Sequence, residues 1–281
     1  MDDNDGKKFP LPPPSWGKGV LLLCGRDIHH LDHLAPLASL WNSPLIITDL
    51  TLKPLVETYY PDVKIHFVPE YALGETLVTS CDTLISCLPR ALLSPLFFLA
   101  ETIHQKTLRK VWCPHGNSDK GHASQLMEGL IEEKNLLFYG NQMVEFLKEK
   151  GAYNQLEETL WVGNYRRYHY SQWAKFYRQL VEKQVFSKFK TRQPILLYAP
   201  TWEDGENSSS YANSLQPLTD ALPSHWNLLI KPHYNLTLST QENRDNLLFL
   251  PTFPPIYPLI QSVDAYLGDM SSIGYDFLTA K

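Results

Sequence analysis

The sequence predicts an α/β protein with two Rossmann-like domains whose parallel sheets face each other across a cleft. Short apolar runs alternate with helical patterns from Gly19 onward, and a second alternating set begins at Pro194 after a basic segment. Strands that are apolar throughout and separated by helices are typical of a parallel sheet covered on both faces. Such sheets bind ligands beyond the carboxyl ends of their strands, so the functional residues are expected there.

The first domain is expected at residues 16–164. Six apolar runs in it predict buried strands: Val20–Cys24, Leu45–Thr48, Lys64–Val68, Thr83–Cys87, Arg109–Cys113 and Leu136–Tyr139. Five stretches between or after them predict helices: Leu31–Leu40, Leu52–Tyr59, Leu92–His104, Ser118–Glu132 and Asn141–Lys150. This alternation of strand and helix indicates one parallel sheet.

The second domain is expected at residues 194–281. Its predicted strands are Pro194–Ala199, Trp226–Lys231, Asn246–Leu250 and Ala265–Gly268, and its predicted helices include Ser214–Leu222 and Pro255–Ser262. Residues 203–213 are rich in serine and poor in apolar side chains, which predicts an exposed loop.

Composition limits the class of protein. The chain has 281 residues, of which 43% are hydrophobic and 20% charged, as in a soluble globular protein. Its net charge of −5 argues against bulk nucleic-acid binding. No apolar run approaches the roughly 18 residues of a membrane span. Residues 1–15 are acidic and then proline-rich, without the apolar core of a signal peptide, so we expect a disordered tail and a cytoplasmic protein.

Residues 165–193 differ from both domains. Eight basic residues stand against one acid between 165 and 192, and aromatic and apolar side chains follow the i, i+3, i+4, i+7 spacing of an amphipathic helix at Trp173, Phe176, Tyr177 and Leu180. A helix that connects the domains and has a solvated basic face explains this pattern. The alternative is a membrane-surface contact, with aromatics at the interface and bases facing anionic lipid.

The stretch from Ala265 to Leu278 predicts a strand, a tight turn and a helix. Ser271 and Ser272 lie on the first helical turn, directly after Asp269. A helix N-terminus has unpaired N–H groups and a partial positive charge, so it can bind an anion, and two hydroxyls add donors. An ordinary N-cap, in which Asp269 or Ser271 satisfies the helix's own amides, is the alternative.

A histidine follows another predicted strand. His115 and Gly116 come directly after the strand that ends at Cys113, and Lys120 is placed to meet a phosphate or carboxylate. Histidine can act as a general base near neutral pH without a large pKa shift. A turn histidine without a chemical role is the alternative.

Two strand ends of the second domain carry similar groups. Thr201 follows Ala199-Pro200 and offers a hydroxyl and an amide, and Lys231 and His233 follow the next strand. Each is weak evidence alone. Together with His115 they place polar residues at strand ends of both domains.

The sequence gives weaker indications of a metal. Asp27, His29, His30 and His33 are candidate ligands, but no matching fourth ligand is evident, and we expect no metal. The four cysteines match no zinc spacing and are expected to be buried reduced thiols: Cys24, Cys81, Cys87 and Cys113. No Ser-His-Asp elbow, Walker loop or GxGxxG is present, which disfavours a common NAD or ATP enzyme.

Four blocks in order resemble the CDP-glycerol glycerophosphotransferase family, over roughly residues 110–281. They are His115-Gly116 with Lys120, Ala199-Pro200-Thr201, Lys231-Pro232-His233, and Asp269-Met270-Ser271-Ser272 followed by Tyr275-Asp276-Phe277. The resemblance implies a GT-B fold and transfer of glycerol phosphate from CDP-glycerol to an acceptor hydroxyl, with release of CMP and without a cofactor.

The resemblance also implies roles for residues. His115 would be the general base, and His233 would meet the donor's phosphates. Thr201, Ser271 and Ser272 would hold the diphosphate. The further candidates at the site are Lys231, Gly116, Lys120, Asp269 and Asp276. The acceptor is expected to be lipid-linked or a polyol phosphate, reached at the inner face of the cell membrane.

The chain departs from the family pattern in two places. Tyr234 follows the second histidine where many members have proline, and four strand candidates precede Lys281 where five or six are expected. We therefore expect an incomplete second domain. A GT-B glycosyltransferase that uses a sugar nucleotide and a nucleotide-binding protein without catalysis are the alternative functions.

Overall fold

The structure is a computed structural model, which describes residues 9–115, 132–202, 209–233, 236, 243–269 and 271–280. The described residues form two compact units, with the division between His169 and Tyr170. Unit 1 precedes this point and unit 2 follows it. The predicted helix Ser118–Glu132 apart from its last residue, most of the serine-rich loop, and the site candidates Gly116 and Lys120 lie outside the described residues.

Unit 1 is built on a parallel sheet that has seven strands among the described residues, in the order β3-β2-β1-β4-β5-β6-β7. The strands are β1 Gly19–Leu23, β2 Leu45–Ile47, β3 Ile65–Phe67, β4 Thr83–Ser86, β5 Arg109–Trp112, β6 Asn135–Phe138 and β7 Glu158–Trp161. The helices are α1 Ile28–Trp41, α2 Lys53–Tyr59, α3 Glu70–Ser80, α4 Ser94–Thr102, α5 Asn141–Glu149 and α6 Tyr165–Gln172. The last three residues of α6 belong to unit 2.

The burial of these strands explains the apolar runs. All residues of β4 and β6 are buried, and so are four of the five in β1, because helices cover both faces of a parallel sheet. The chain moves outward from β1 through β2 to β3 and then returns to pair β4 with β1. The sheet therefore has its topological switch point between β1 and β4, which is where ligands of such folds bind.

Unit 2 has a smaller parallel sheet, with four strands in the described part of the chain, in the order β10-β9-β8-β11. The strands are β8 Ile195–Ala199, β9 Asn227–Ile230, β10 Leu247–Phe249 and β11 Ala265–Gly268. The helices are α7 Ala174–Gln184, α8 Tyr211–Ala221, α9 Ile256–Ser262 and α10 Ser272–Ala280. Its switch point lies between β8 and β11, which pair in parallel register.

Two elements of unit 1 were not predicted. Strand β7 reads Glu-Thr-Leu-Trp and alternates between half-buried and exposed residues, so it lacks the continuous apolar run of a central strand. Helix α3 contains Gly74 and several β-branched residues, which weaken a helical pattern. In the structure Leu73 and Leu77 pack into the core, and burial outweighs the poor propensity.

The amino-terminal segment differs from the predicted tail, because residues from Phe9 onward pack against unit 1. The Phe9 ring stacks on Tyr168, and the indole of Trp41 donates a hydrogen bond to the Pro10 carbonyl at 2.9 Å. Trp16 is buried, and its Nε1 donates to Glu158 at 2.7 Å. The proline-rich composition indicated disorder, but two aromatic rings bury enough surface to fix the chain.

The predicted connecting helix is two helices, α6 and α7, followed by a 3-10 turn at Phe186–Lys188. Tyr177 and Val181 are buried, whereas the basic residues of α7 are exposed, as expected of a helix with one solvated face. Arg166 departs from this expectation, because it is buried and pairs with Asp32 at 2.9 Å. None of the helices that the structure describes is long and apolar enough to cross a membrane.

Candidate functional site

Three histidines meet at the carboxyl edge of the unit 1 sheet. Helix α1 begins five residues after β1 and carries His29 and His30 in its first turn, and His115 follows β5. The His115 ring centroid lies 5.2 Å from that of His29 and 4.8 Å from that of His30, edge-on to both. The candidate ligand nitrogens of the three rings all lie within 4.8 Å of one another. We call this group the histidine cluster.

Two rings of the histidine cluster, His30 and His115, are uncharged at neutral pH. Burial lowers the pKa of His30 to about 3, and nearby His115 adds a smaller effect in the same direction. The His115 side chain is exposed at the surface, but the protein atoms around it disfavour the imidazolium ion and lower its pKa to about 4. The Asp27 carboxylate lies 3.7 Å from His30 Nδ1. The His30 and His115 rings therefore each have a nitrogen lone pair that can accept a proton or bind a metal.

Buried hydrogen bonds fix α1 beneath the histidine cluster. Asp32 pairs with Arg166 and accepts a hydrogen bond from the Tyr60 hydroxyl at 3.1 Å. The Tyr165 hydroxyl donates to the His33 carbonyl at 3.0 Å and lies 3.6 Å from the Cys113 sulfur. These contacts connect α1 and α6 to the end of β5, so the rings of the cluster are held on a rigid base.

All four cysteines are free thiols, and the prediction of reduced cysteines is confirmed. Cys81, Cys87 and Cys113 are buried, whereas Cys24 is half-buried. Cys87 and Cys113 follow neighbouring strands β4 and β5.

A carboxylate organises the corresponding edge of the unit 2 sheet. Asp269 follows β11 and accepts hydrogen bonds from the Thr201 N–H, the Ser210 N–H and the Ser210 hydroxyl, each at 2.8 Å. These donors come from the end of β8 and the residue before α8. Asp269 therefore ties together three segments at the switch point, and we call it the carboxylate hub.

Helix α10 begins at Ser272, directly beyond the carboxylate hub. The Ser271 hydroxyl accepts from the Ile273 N–H at 3.4 Å, and the Ser271 N–H donates to the Asp269 carbonyl at 2.6 Å. Further along the helix, Asp276 is buried and accepts from the Tyr257 hydroxyl at 2.8 Å. Asp276 therefore anchors α10 to α9, while the two serines lie at the start of the helix.

Gly268 leaves room at this turn for an aromatic ring. A methyl group added at Gly268 would overlap the hydroxyl end of Tyr266, whose ring stacks on Phe277 at 5.2 Å. Burial raises the pKa of Tyr266, and the carboxylates of Asp269 and Asp276 add to the shift. The phenol is therefore neutral at the edge of the turn.

Two more predicted residues lie at the end of β9. Lys231 directs its ammonium group to the Pro251 carbonyl at 3.4 Å, and the His233 ring lies 6.3 Å from that of Trp202. Since β9 pairs in parallel with β8, the residues that follow the two strands, Thr201–Trp202 and Lys231–His233, are adjacent on one edge of the sheet.

The structure thus brings the predicted residues of unit 2 to one edge of one sheet: Thr201, Lys231, His233, Asp269, Ser271 and Ser272. Sequence reasoning missed Ser210 and Trp202. It also treated His29 and His30 separately from His115. The strand-end rule could have linked these histidines, because the first turn after β1 and the residues after β5 both lie at the carboxyl edge.

The family of the chain follows from a sequence match over its second half. Residues 137–281, just over half of the chain, match the sequence profile of the CDP-glycerol:poly(glycerophosphate) glycerophosphotransferase family. The chain belongs to this family. The matched region includes all of unit 2 and therefore the carboxylate hub and the start of α10.

Solved structures confirm the GT-B-like α/β fold of this glycerophosphotransferase-family chain. The wall teichoic acid polymerase TagF superposes with a TM-score of 0.59 at 14% identity, covering 94% of this chain and 68% of that chain. A TagF variant soaked with CDPG gives 0.61 at 15% identity, with the same coverage. UDP-N-acetylglucosamine 2-epimerase from Rickettsia bellii gives 0.55 at 14% identity, covering 89% and 73%. A comparison with curated protein sequences gave no match.

Proposed function

We propose that the protein transfers glycerol phosphate from CDP-glycerol to an acceptor hydroxyl and releases CMP, as a step of teichoic acid biosynthesis. Family membership supports a CDP-glycerol glycerophosphotransferase-type enzyme. The observation that carries the proposal is the group of hydrogen-bond donors at the switch point of unit 2, where Ser271 precedes α10 and Ser272 begins it, beside the carboxylate hub. This arrangement suits the diphosphate of a nucleotide donor.

Unit 2 would bind the donor phosphates with several kinds of group. Ser271, Ser272 and Thr201 offer hydroxyls, and Lys231 and His233 offer side-chain donors from the end of β9. A hydrogen bond to a charged group contributes about 1.5–3 kcal/mol. A few such bonds can stabilise the charge that spreads over the oxygens of the transferring phosphoryl group. No cofactor is required for this step.

His115 would accept the proton of the acceptor hydroxyl. The acceptor oxygen forms a bond to the phosphorus of the glycerol phosphate group, the bond from that phosphorus to the bridging oxygen breaks, and CMP leaves with the electron pair. General-base assistance requires an accessible imidazole at the ligand edge of its sheet, and the exposed position of His115 after β5 supports this role.

The acceptor would be lipid-linked or a polyol phosphate, met at the cytoplasmic face of the membrane. The exposed basic residues of α7 support a peripheral contact with anionic lipid: Lys175, Arg178 and Lys183. Nucleic acid is not proposed as a partner, because the chain is acidic overall.

The test is CMP release by the full chain incubated with CDP-glycerol and a lipid-linked acceptor. We expect CMP to appear in proportion to elongated acceptor. Absence of CMP with CDP-glycerol and equally with CDP-ribitol, under conditions where the protein is folded, would refute the proposal.

A sugar-nucleotide glycosyltransferase is the second candidate, since hydrogen-bond donors at the start of a helix can bind the diphosphate of CDP-glycerol or that of a sugar nucleotide. The structural similarity to a UDP-N-acetylglucosamine 2-epimerase shows that this fold also occurs in a protein of sugar-nucleotide chemistry. A panel of CDP-, UDP- and GDP-linked donors in a thermal-shift assay distinguishes the two candidate functions. If the protein is a glycerophosphotransferase, CDP-glycerol should raise Tm most. Stable binding of CDP-glycerol without turnover would instead favour a nucleotide-binding protein.

A further inference from the structure

The histidine cluster has the composition and spacing of a metal site. Its three candidate ligand nitrogens lie within 4.8 Å of one another, on two segments that follow different strands. Imidazole nitrogen is a preferred ligand of zinc, copper and nickel. Three histidines around one ion, with a fourth position for water, form a common zinc arrangement.

The distances are compatible with a modest closure around an ion. Zn–N bonds of about 2.0–2.1 Å in tetrahedral geometry place ligand nitrogens roughly 3.4 Å apart. The cluster therefore has to contract by somewhat more than an ångström at its widest. His30 is buried and fixed in α1, whereas the His115 side chain is exposed and can rotate toward it. The exposed side also leaves room for water as a fourth ligand.

The surroundings favour a cation. Asp27 lies 3.7 Å from His30 Nδ1, where a carboxylate can orient the ring and direct its other nitrogen to the ion. The buried guanidinium of Arg166 is paired with Asp32, which offsets its charge.

We propose that His29, His30 and His115 together bind one divalent transition-metal ion of the zinc class. The ion is held by three imidazole nitrogens, and water takes the remaining position. His33, one turn further along α1, is not part of the three-nitrogen group, since its ring centroid lies 6.5 Å from that of His115.

Under the proposed function His115 is the general base, so a metal ion bound to it should affect activity. A lone pair of His115 that is bound to a metal cannot accept the proton of an acceptor hydroxyl. Zinc is therefore expected to inhibit transfer, and a chelator to restore it. Binding itself does not depend on turnover, so a failed transfer assay and a failed metal site give different results.

The experiment is titration of the chelator-treated full chain with zinc chloride by calorimetry, with Co2+ absorption as a second measurement. We expect one zinc per chain, a higher Tm, and visible Co2+ bands of low-symmetry nitrogen coordination. His29→Gln should weaken zinc binding by more than about 100-fold, since even partners outside the ligand set cost 10–100-fold in affinity.

His225→Gln is the matched control, because His225 is exposed in unit 2 before β9 and far in sequence from the cluster. It should bind zinc like the unmodified chain. Equal affinities of the unmodified chain and His29→Gln, weak binding to several sites per chain, or no zinc binding would each overturn the proposal. Circular dichroism of His29→Gln confirms that a loss of binding is not a loss of fold.

Discussion

The ligand edges of the two sheets are built from opposite chemistry. In unit 1 the edge carries three imidazoles that contact one another through their rings, and the pKa of two of them, His30 and His115, is lowered. In unit 2 the edge is organised by the single carboxylate of Asp269, which accepts three hydrogen bonds from neighbouring segments. Both edges lie at the carboxyl ends of parallel strands. The fold therefore explains where these polar residues lie, and the difference in chemistry comes from the side chains.

The imidazoles of unit 1 and the carboxylate of unit 2 can do different chemistry. An imidazole with a lowered pKa can accept a proton or a metal, whereas a saturated carboxylate stabilises the backbone around it. Asp269 accepts the Thr201 N–H and so fixes the backbone after β8. The carboxylate hub is therefore a positioning group, and the groups proposed to contact phosphate are the hydroxyls and cations around it.

The largest expected effect comes from removing His115, the proposed base at the unit 1 edge. His115→Ala should lower the rate of CMP release by about 100- to 10,000-fold, the usual contribution of general-base catalysis. The affinity for CDP-glycerol, measured by calorimetry, should stay unchanged, because the groups proposed to bind the donor belong to unit 2. His225→Ala is the control and should leave both quantities unchanged. Loss of donor binding in His115→Ala would reassign His115 to the donor site.

Removing the carboxylate hub should affect stability and donor binding together. Asp269→Ala leaves Thr201 and Ser210 without their acceptor, and we expect a loss of about 2–4 kcal/mol in the free energy of unfolding. CDP-glycerol affinity should fall as well. Asp269→Asn should have a stability and an affinity between those of Asp269→Ala and the unmodified chain, because its one amide oxygen can still accept a hydrogen bond. Urea unfolding and calorimetry measure these quantities.

Asp264 offers a matched control at the opposite edge of the same two strands. It precedes β11 and accepts from the Ile195 N–H, at the start of β8, at 2.7 Å. Asp264→Ala should cost stability without changing donor affinity. If Asp269→Ala and Asp264→Ala have the same effect on donor affinity, the switch point is not the donor site.

Truncating one hydroxyl of α10 should give a smaller effect. Ser272→Ala removes the charge-assisted hydrogen bond proposed between the Ser272 hydroxyl and the donor phosphate, so CDP-glycerol should bind about 10- to 100-fold more weakly. Thr279→Ala in the same helix is the control, since the Thr279 hydroxyl is already bonded to the Asp276 carbonyl at 2.9 Å. Equal donor affinities of Ser272→Ala and the unmodified chain would exclude this hydroxyl from the phosphate contacts.

The smallest expected effect concerns acid stability. Burial lowers the pKa of His169 in unit 1 to about 4, with Asp62 opposing the shift. Below about pH 6.5 His169 is protonated in the unfolded chain but remains neutral in the folded chain. The free energy of unfolding therefore falls as the pH decreases toward 4. Between pH 7.5 and 5.5 this histidine should account for about 1 kcal/mol.

His169→Gln should reduce that dependence on pH. Amide hydrogen exchange in β1–β5, compared with β8–β11, shows whether the loss is confined to unit 1. The same slope in His169→Gln and in the unmodified chain would show that His169 does not titrate in this range.

Much of the site could be predicted because its residues sit next to strong local signals. His115, Thr201, Lys231 and Asp269 each follow an apolar run, and a strand end is readable from the sequence alone. The contacts of Asp269 and Asp276 could not be predicted in this way. Asp276 shares its sequence block with Ser271, but its carboxylate is buried against Tyr257.

The sequence by itself determined where the strands and most helices lie, and that polar residues follow them, because hydrophobic runs and helical spacing are local properties. The tertiary structure decided which strand ends are neighbours. Placing β1, β4 and β5 side by side brought His29 and His30 to His115, and pairing β8 with β11 brought Asp269 to Thr201 and Ser210. Strand order depends on packing between distant segments, so no stretch of sequence contains it.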